Sequence, residues 1–186
     1  MLSYVQSVGA ELVANLDGSP LPYRFHVIVH SEMTEPMAFP GGLILVPASF
    51  LANAKDEGEF AGMMAHAIAH IAARHGRGSQ AEQSSAGLVS VPVIFKGGRS
   101  GLHAPSSTAS KHTPLGFLKT QRRIELEADR IGIELAHRAG YDPTGLRRYI
   151  AWTQPDDWKL SLLPAREFRL AKMDDVLRLL LSTPLI

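Results

Sequence analysis

Residues 60–75 read Phe60-Ala61-Gly62-Met63-Met64-Ala65-His66-Ala67-Ile68-Ala69-His70-Ile71-Ala72-Ala73-Arg74-His75, and this stretch decides how the rest of the chain is organised. Phe60, Met63, Met64, Ile68 and Ile71 recur at helical spacing and point one way, toward a core. Asp56 is a good N-cap, and Glu59 stands three residues later, the spacing of a capping box. The pattern therefore predicts a long helix from Asp56 to near Gly76. His66 and His70 are four apart, so both imidazoles leave the same face one turn apart. Two neutral imidazoles so placed can grip one zinc ion. Standing alone, such a pair is more often a structural accident than a site. His75 falls outside the spacing and reads as a cap on the helix C-terminus.

Beyond this helix, residues 78–113 are rich in Ser, Gly and Ala. They show little sustained periodicity apart from the apolar run Leu88 to Phe95. A partly ordered, flexible insertion is expected there, with one helix or strand. Periodicity returns at Leu115 and runs to about Ala139 as a second long helix closed by Gly140. It carries Glu125-Leu126-Glu127-Ala128-Asp129-Arg130. Glu125 and Asp129 again share a face. By itself this segment reads rather as a solvated surface with Arg122 and Arg123 as ion partners. Beside the two histidines it completes the His2Glu set of a catalytic zinc site, with a fourth position open. Asp129, one turn beyond Glu125, is placed to accept a hydrogen bond from the free ring nitrogen of a metal-bound histidine. Glu127 points elsewhere and reads as surface.

Upstream, Val5, Val8, Leu12, Val13 and Leu16 mark an amphipathic helix over residues 2–16, ended by Asp17-Gly18-Ser19-Pro20. Arg24 to His30 is rich in β-branched residues and reads as a strand. Two short strands, Ala38-Phe39 and Leu43 to Val46, flank Pro40-Gly41-Gly42. Downstream, Pro143 to Trp152 and Pro164 to Leu181 read as helices with Pro near their starts. The order is α+β with helices dominant and a small sheet next to the central helix.

The 186 residues, 45% apolar and 20% charged, suit a single domain over 1–186. A net charge of +1 argues against nucleic acid as a partner. The basic groups Arg74 to Arg77 and Lys119 to Arg123 read as solvated helix ends. With no cysteine, disulfides and thiolate metal sites are excluded, so a metal must sit on histidine and carboxylate. No apolar run approaches the ~20 residues of a membrane span, and Met1 to Asn15 lack the pattern of a signal peptide. A Gly-x-Ser-x-Gly elbow is absent. Gly98 to Gly101 lacks the Gly-Lys-Ser/Thr ending of a phosphate cradle.

The joint pattern resembles the HtpX-like and BepA-like zinc endopeptidases, relatives of the CAAX prenyl protease. Their motif is His-Glu-x-x-His followed by Glu-x-x-Ala-Asp. Here His66 and His70 match the first part, and Glu125, Ala128 and Asp129 the second. Ala38-Phe39-Pro40-Gly41-Gly42 resembles their strand beside the cleft, and Ala139-Gly140-Tyr141-Asp142-Pro143 the turn after their third-ligand helix. The resemblance covers about residues 1–182. It implies a gluzincin-like fold and one Zn2+ on His66, His70 and Glu125, with Asp129 behind them. It implies endopeptidase action on misfolded or envelope proteins, in a bacterial envelope or periplasm. It also implies an edge strand at Ala38 and Phe39 that pairs with substrate backbone, and Arg169 lining the cleft, with a surface helix arginine as the even alternative. Relatives often carry helical repeats or membrane-associated partners outside this domain.

Three positions depart from the family pattern. Alanine at position 67 stands where the family has its general-base glutamate, which takes a proton from water and hands it to the leaving amine. Met37 replaces a frequent asparagine, and Leu163 a histidine before proline. The expected function is a zinc endopeptidase disabled at Ala67, by deliberate substitution or by nature. The alternatives are a natural zinc-holding pseudopeptidase acting as chaperone or adaptor, and a plain helical domain without metal.

Overall fold

The helix that carries His66 and His70 is the centre of the molecule because it is apolar on nearly every face. In the computed structural model, which describes residues 1–18, 21–29, 33–73, 95–96, 115–155 and 162–182, every residue from Glu59 to Ile71 is buried. A helix clothed in apolar side chains all round must be surrounded. In chain order the elements are α1 (Leu2–Ala14), β1 (Arg24–Ile28), β2 (Met37–Phe39), β3 (Leu43–Pro47), α2 (Ala48–Asn53), α3 (Glu57–Ala72), β4 (Phe95–Lys96), α4 (Leu115–Arg138), α5 (Gly145–Thr153) and α6 (Arg166–Ser182). The fold is α+β and helix-dominated. The central helix is α3, packed against α4, α5, α1 and β2.

The entry to α3 is fixed by its own sequence. Asp56 accepts a hydrogen bond from the Glu59 amide at 2.8 Å. The Glu59 carboxylate reaches back to the Lys55 amide at 3.0 Å, one residue short of the usual reciprocal partner. The Glu59 amide, an orphan donor of the helix start, is thereby satisfied, and the chain just before the cap is held to the first turn. Trp152 Nε1 also donates to Glu59, at 3.2 Å, so the buried carboxylate ties α5 to the start of α3.

The sheet runs in the order β1-β3-β2-β4. β1 pairs in parallel with β3 from Arg24↔Leu43 onward, and β2 pairs antiparallel with β3. The Pro40-Gly41-Gly42 turn requires glycine, because Gly41 and Gly42 have φ of 92° and 94°. A Cβ on Gly42 would also lie 2.6 Å from the Pro22 carbonyl oxygen.

α2 has no counterpart in the sequence reading. It is six residues long with one buried side chain, Phe50. That residue stacks on Phe60 with centroids 5.2 Å apart and meets Tyr149 edge-on at 5.5 Å. One anchor in six residues displays no period. The helices expected from Pro143 and Pro164 begin two residues later, at Gly145 and Arg166. The expected insertion at 78–113, the Arg74 to Arg77 group and His75 lie outside the described residues, except that residues 95–96 form β4.

Candidate metal centre

Two features of sequence bring α3 and α4 together at the histidines. On α4, Glu125, Ala128, Asp129 and Gly132 form a stripe at i, i+3, i+4 and i+7, facing α3. The small members of that stripe allow close approach. A Cβ added to Gly132 would lie 2.9 Å from His66 N and 3.0 Å from His66 Cα. The two helices therefore touch through backbone at the residue that matters, and Glu125 is carried to the histidine face.

His66, His70 and Glu125 converge there. One ligand atom from each lies within 4.8 Å of the others, and all three residues are buried. His66 Nε2 and His70 Nε2 are 3.1 Å apart. Glu125 Oε2 is 3.5 Å from His66 Nε2, and Glu125 Oε1 is 3.6 Å from His70 Nε2. Zinc bonds of about 2.0–2.1 Å at tetrahedral angles set neighbouring ligand atoms about 3.3–3.4 Å apart. The three separations bracket that value. Glu125 Oε2 is moreover a buried acceptor with no hydrogen-bond donor, the Arg169 guanidinium standing beyond bonding distance at 3.6 Å, and such an atom is costly unless a cation meets it closely. The donor set fits a small divalent metal ion.

Behind the ligands lies a buried ionic network. His66 Nδ1 is 3.0 Å from Asp129 Oδ1, with the carboxylate off the ring N–H direction, so the contact is electrostatic more than an aligned hydrogen bond. Arg169, fully buried, forks onto Asp129 through Nε and Nη2, each at 2.7 Å. Its Nη1 donates to Gln154 Oε1 at 3.0 Å, and Gln154 Nε2 donates to the Pro164 carbonyl at 2.7 Å. The start of α6 is thus fastened to the metal centre. Charge follows geometry. Burial works against ionised Glu125, but His70, His66 and Arg169 outweigh it and hold the carboxyl down to about 2. Burial likewise opposes ionised Asp129, yet Arg169 and His66 hold it near about 2. Burial lowers His66, but Asp129 and Glu125 overcome this and lift it to about 9. The two ionised carboxylates thus draw positive charge into the pocket, from Arg169 and from the His66 ring.

The sequence-derived residues fall as follows. His66, His70, Glu125 and Asp129 meet in one buried cluster, and Ala67 follows His66 with a buried methyl. Arg169 exposes no surface with which to touch a substrate. It belongs to the support of Asp129, in place of the cleft wall or helix surface that sequence allowed. Ala38 and Phe39 lie on β2, with Ala38 buried. The expectation of an open edge there needs correction, because β4 pairs antiparallel with β2 through Met37↔Lys96 and Ala38↔Phe95. One helix or strand is expected within 78–113, and β4 begins at Phe95, the end of the apolar run there, but nothing local tells which strand it joins. Gln154, Gly132 and Glu35, the last buried two residues before β2, were not marked by any motif. The Lys119 to Arg123 group lines a groove of about 600 Å³ between α4 and α6 with Leu126, Pro164 and Phe168, apart from the histidines.

A buried His2Glu set on two touching helices, in a helix-dominated α+β domain, is the framework of a metallopeptidase. The model of peptidase family M48 matches residues 2–183, and the chain belongs to that family. Among its relatives is the "Beta-barrel assembly-enhancing protease" of Escherichia coli (strain K12), 29% identical over 157 residues, covering 81% of this chain and 32% of the relative. The protein of the same name from Yersinia pestis is 28% identical over 160 residues, with the same coverage of 81% and 32%. The "Mitochondrial metalloendopeptidase OMA1" of Schizosaccharomyces pombe is 30% identical over 147 residues, 77% of this chain and 41% of that protein. The chain spans about a third of the length of the β-barrel assembly-enhancing relatives.

Proposed function

We propose that this chain is the peptidase domain of a zinc metalloendopeptidase that hydrolyses peptide bonds of proteins, hydrolytically disabled by alanine at position 67. The observation that carries the reading is the convergence of His66, His70 and Glu125 within 4.8 Å, with Ala67 next in sequence to the first ligand. His66 and His70 offer Nε2 and Glu125 its carboxylate. A zinc ion bound by them would act as a Lewis acid on a water molecule and on the scissile carbonyl. Arg169 fixes Asp129, whose carboxylate stands 3.0 Å from His66 Nδ1 on the side away from the ligand nitrogen and would favour the ligating form of the ring. The alanine methyl can neither accept the proton of an attacking water nor deliver it to a leaving amine. That proton transfer is worth ~10²–10⁴-fold.

The relatives' names point to protein substrates connected with β-barrel assembly. On that basis we assign the whole protein to misfolded or envelope proteins, in a bacterial envelope or periplasm, with a helical-repeat domain or a membrane-associated partner beyond this chain. Among the described residues no helix is long and apolar enough to cross a membrane. A second reading, a zinc-holding pseudopeptidase that serves as chaperone or adaptor, is favoured by the conjunction of an ordered ligand set with the missing carboxylate.

The test is cleavage of an unfolded protein by Ala67→Glu beside the chain as it stands, with zinc measured in both. Zinc in both and cleavage by the glutamate form alone is the expected result. Zinc in both without cleavage by either favours the pseudopeptidase. Zinc in neither removes the metal assignment.

A further inference from the structure

Arg169 is fully buried, and a guanidinium carries N–H donors on all three nitrogens. Two of them, Nε and Nη2, are used on Asp129, each at 2.7 Å. The third, Nη1, donates to Gln154 Oε1 at 3.0 Å. Nη2 also stands 3.6 Å from Glu125 Oε2. Only a short shift of Arg169 therefore separates a guanidinium that supports the centre from one that bonds a metal-ligand carboxylate.

Gln154 is itself held firmly. It caps the C-terminus of α5 and is buried. Its backbone N–H donates to the Ile150 carbonyl at 3.0 Å, and its carbonyl accepts from Arg166 Nη1 at 3.3 Å. Its side-chain amide is used at both ends, because Oε1 accepts from Arg169 and Nε2 donates to the Pro164 carbonyl at 2.7 Å. A guanidinium only donates and a carbonyl only accepts, so the amide cannot turn over. Without this side chain the buried Nη1 would lose its acceptor, which is costly for a charged donor. A shift of the guanidinium toward Glu125 Oε2 would recover a charge-assisted bond, at an oxygen that a metal ion needs.

We propose that Gln154 is a positioning residue of the metal centre, which holds the third nitrogen of Arg169, keeps the guanidinium on Asp129 and so leaves Glu125 to the metal ion. Gln154 acts through Arg169 and touches no reacting atom. The assignment rests on the reading of His66, His70 and Glu125 as metal ligands.

The experiment is zinc competition against a chromophoric chelator at neutral pH. It compares the chain as it stands with Gln154→Met, Gln154→Glu, Arg169→Met and the double variant Gln154→Met, Arg169→Met. Urea unfolding in excess chelator reports the stability of each without zinc. Removing a partner of a metal-ligand network typically costs ~10–100-fold in affinity, and Gln154→Met is expected in that range. In the Arg169→Met background the same substitution should change zinc affinity by less than about threefold, because the residue it acts through is gone. Gln154→Glu keeps an acceptor for Nη1 and loses the donor to Pro164, so it should stay within about threefold of the parent. Should Gln154→Met fail to fold, Gln154→Asn, which withdraws the amide from both partners by one methylene, carries the same expectation. A purely structural Gln154 would lower the urea midpoint and leave zinc affinity at the parent value, and that result overturns the proposal while the metal reading stands. So does an equal loss of affinity with and without Arg169, or an equal loss in Gln154→Met and Gln154→Glu, since either places the effect at Pro164. A parent that takes up no zinc overturns both this proposal and the metal reading.

Discussion

Arg169→Met tests whether the metal centre is built around a buried ion pair. Methionine has similar length and no charge, so the cavity is largely filled while Asp129 loses its fork. Arg169 gives Asp129 two hydrogen bonds of 2.7 Å. Charge-assisted bonds contribute about 1.5–3 kcal/mol each, which sets an upper bound near 6 kcal/mol. Breaking one side of a buried pair costs about 3–5 kcal/mol, because the stranded charge stays desolvated. Asp129 keeps its 3.0 Å contact with His66, so the lower end, about 3 kcal/mol, is expected. Domains have about 5–15 kcal/mol in all, so the variant should fold but be visibly weakened. With an m-value of about 2 kcal/mol/M, the urea midpoint falls by about 1–2 M.

The assay is urea unfolding in excess chelator, so that zinc does not contribute. Arg169→Lys should recover only part of the loss, since an ammonium cannot fork. The double variant Arg169→Met, Asp129→Asn should lose much less than the sum of the singles, because the Asp129 charge is then no longer stranded. Zinc affinity of Arg169→Met should fall ~10–100-fold. A loss below about 1 kcal/mol for Arg169→Met, or additive singles, would refute the argument, since contacting charges must couple.

The close approach at Gly132 makes a second prediction. Gly132→Ala places a methyl against the His66 backbone, which cannot rotate aside, so α4 must move; a loss of about 1–3 kcal/mol in urea unfolding and weaker zinc binding are expected. Gly116→Ala, where nothing lies within 4 Å, should be neutral or gain up to about 1 kcal/mol on the same helix; equal effects of the two would remove the packing argument. Asp142 gives the pH dependence: burial opposes its ionisation, but hydrogen bonds from Arg148 and Thr144 prevail and hold its pKa below the ordinary value. A depressed folded pKa stabilises above the unfolded value of about 3.9 and is lost as pH falls through the folded one. Asp142→Asn should therefore lower the urea midpoint at neutral pH and converge on the parent in acid, and a constant difference down to the lowest pH would show that the carboxylate charge plays no part.

The division between what the sequence disclosed and what it hid follows from the range of the interactions. His66 with His70, and Glu125 with Asp129, are pairs within one helix, so their spacing alone fixes a shared face. The periodicity of α3 and α4 is equally local, and Asp56 with Glu59 marks a helix start within four residues. What stayed hidden needed a partner from elsewhere in the chain. Arg169 lies 40 residues from Asp129, and no local pattern separates a buried arginine from a surface one on α6. Gln154 is a lone glutamine after a short helix. The pairing of β4, two residues in a stretch where only a helix or strand could be expected, with Met37 and Ala38 of β2 was equally out of reach. Glu35 sits in a polar turn, where a carboxylate ordinarily faces water. The ligands of the centre are therefore written in the local repeat of two helices, whereas the residues that set its charge come from long-range contacts. That asymmetry suggests why an unchanged ligand motif can carry different metal affinities. The spacing fixes which side chains share a face, whereas Arg169 and Gln154, which hold Asp129 behind them, are reached only through the fold.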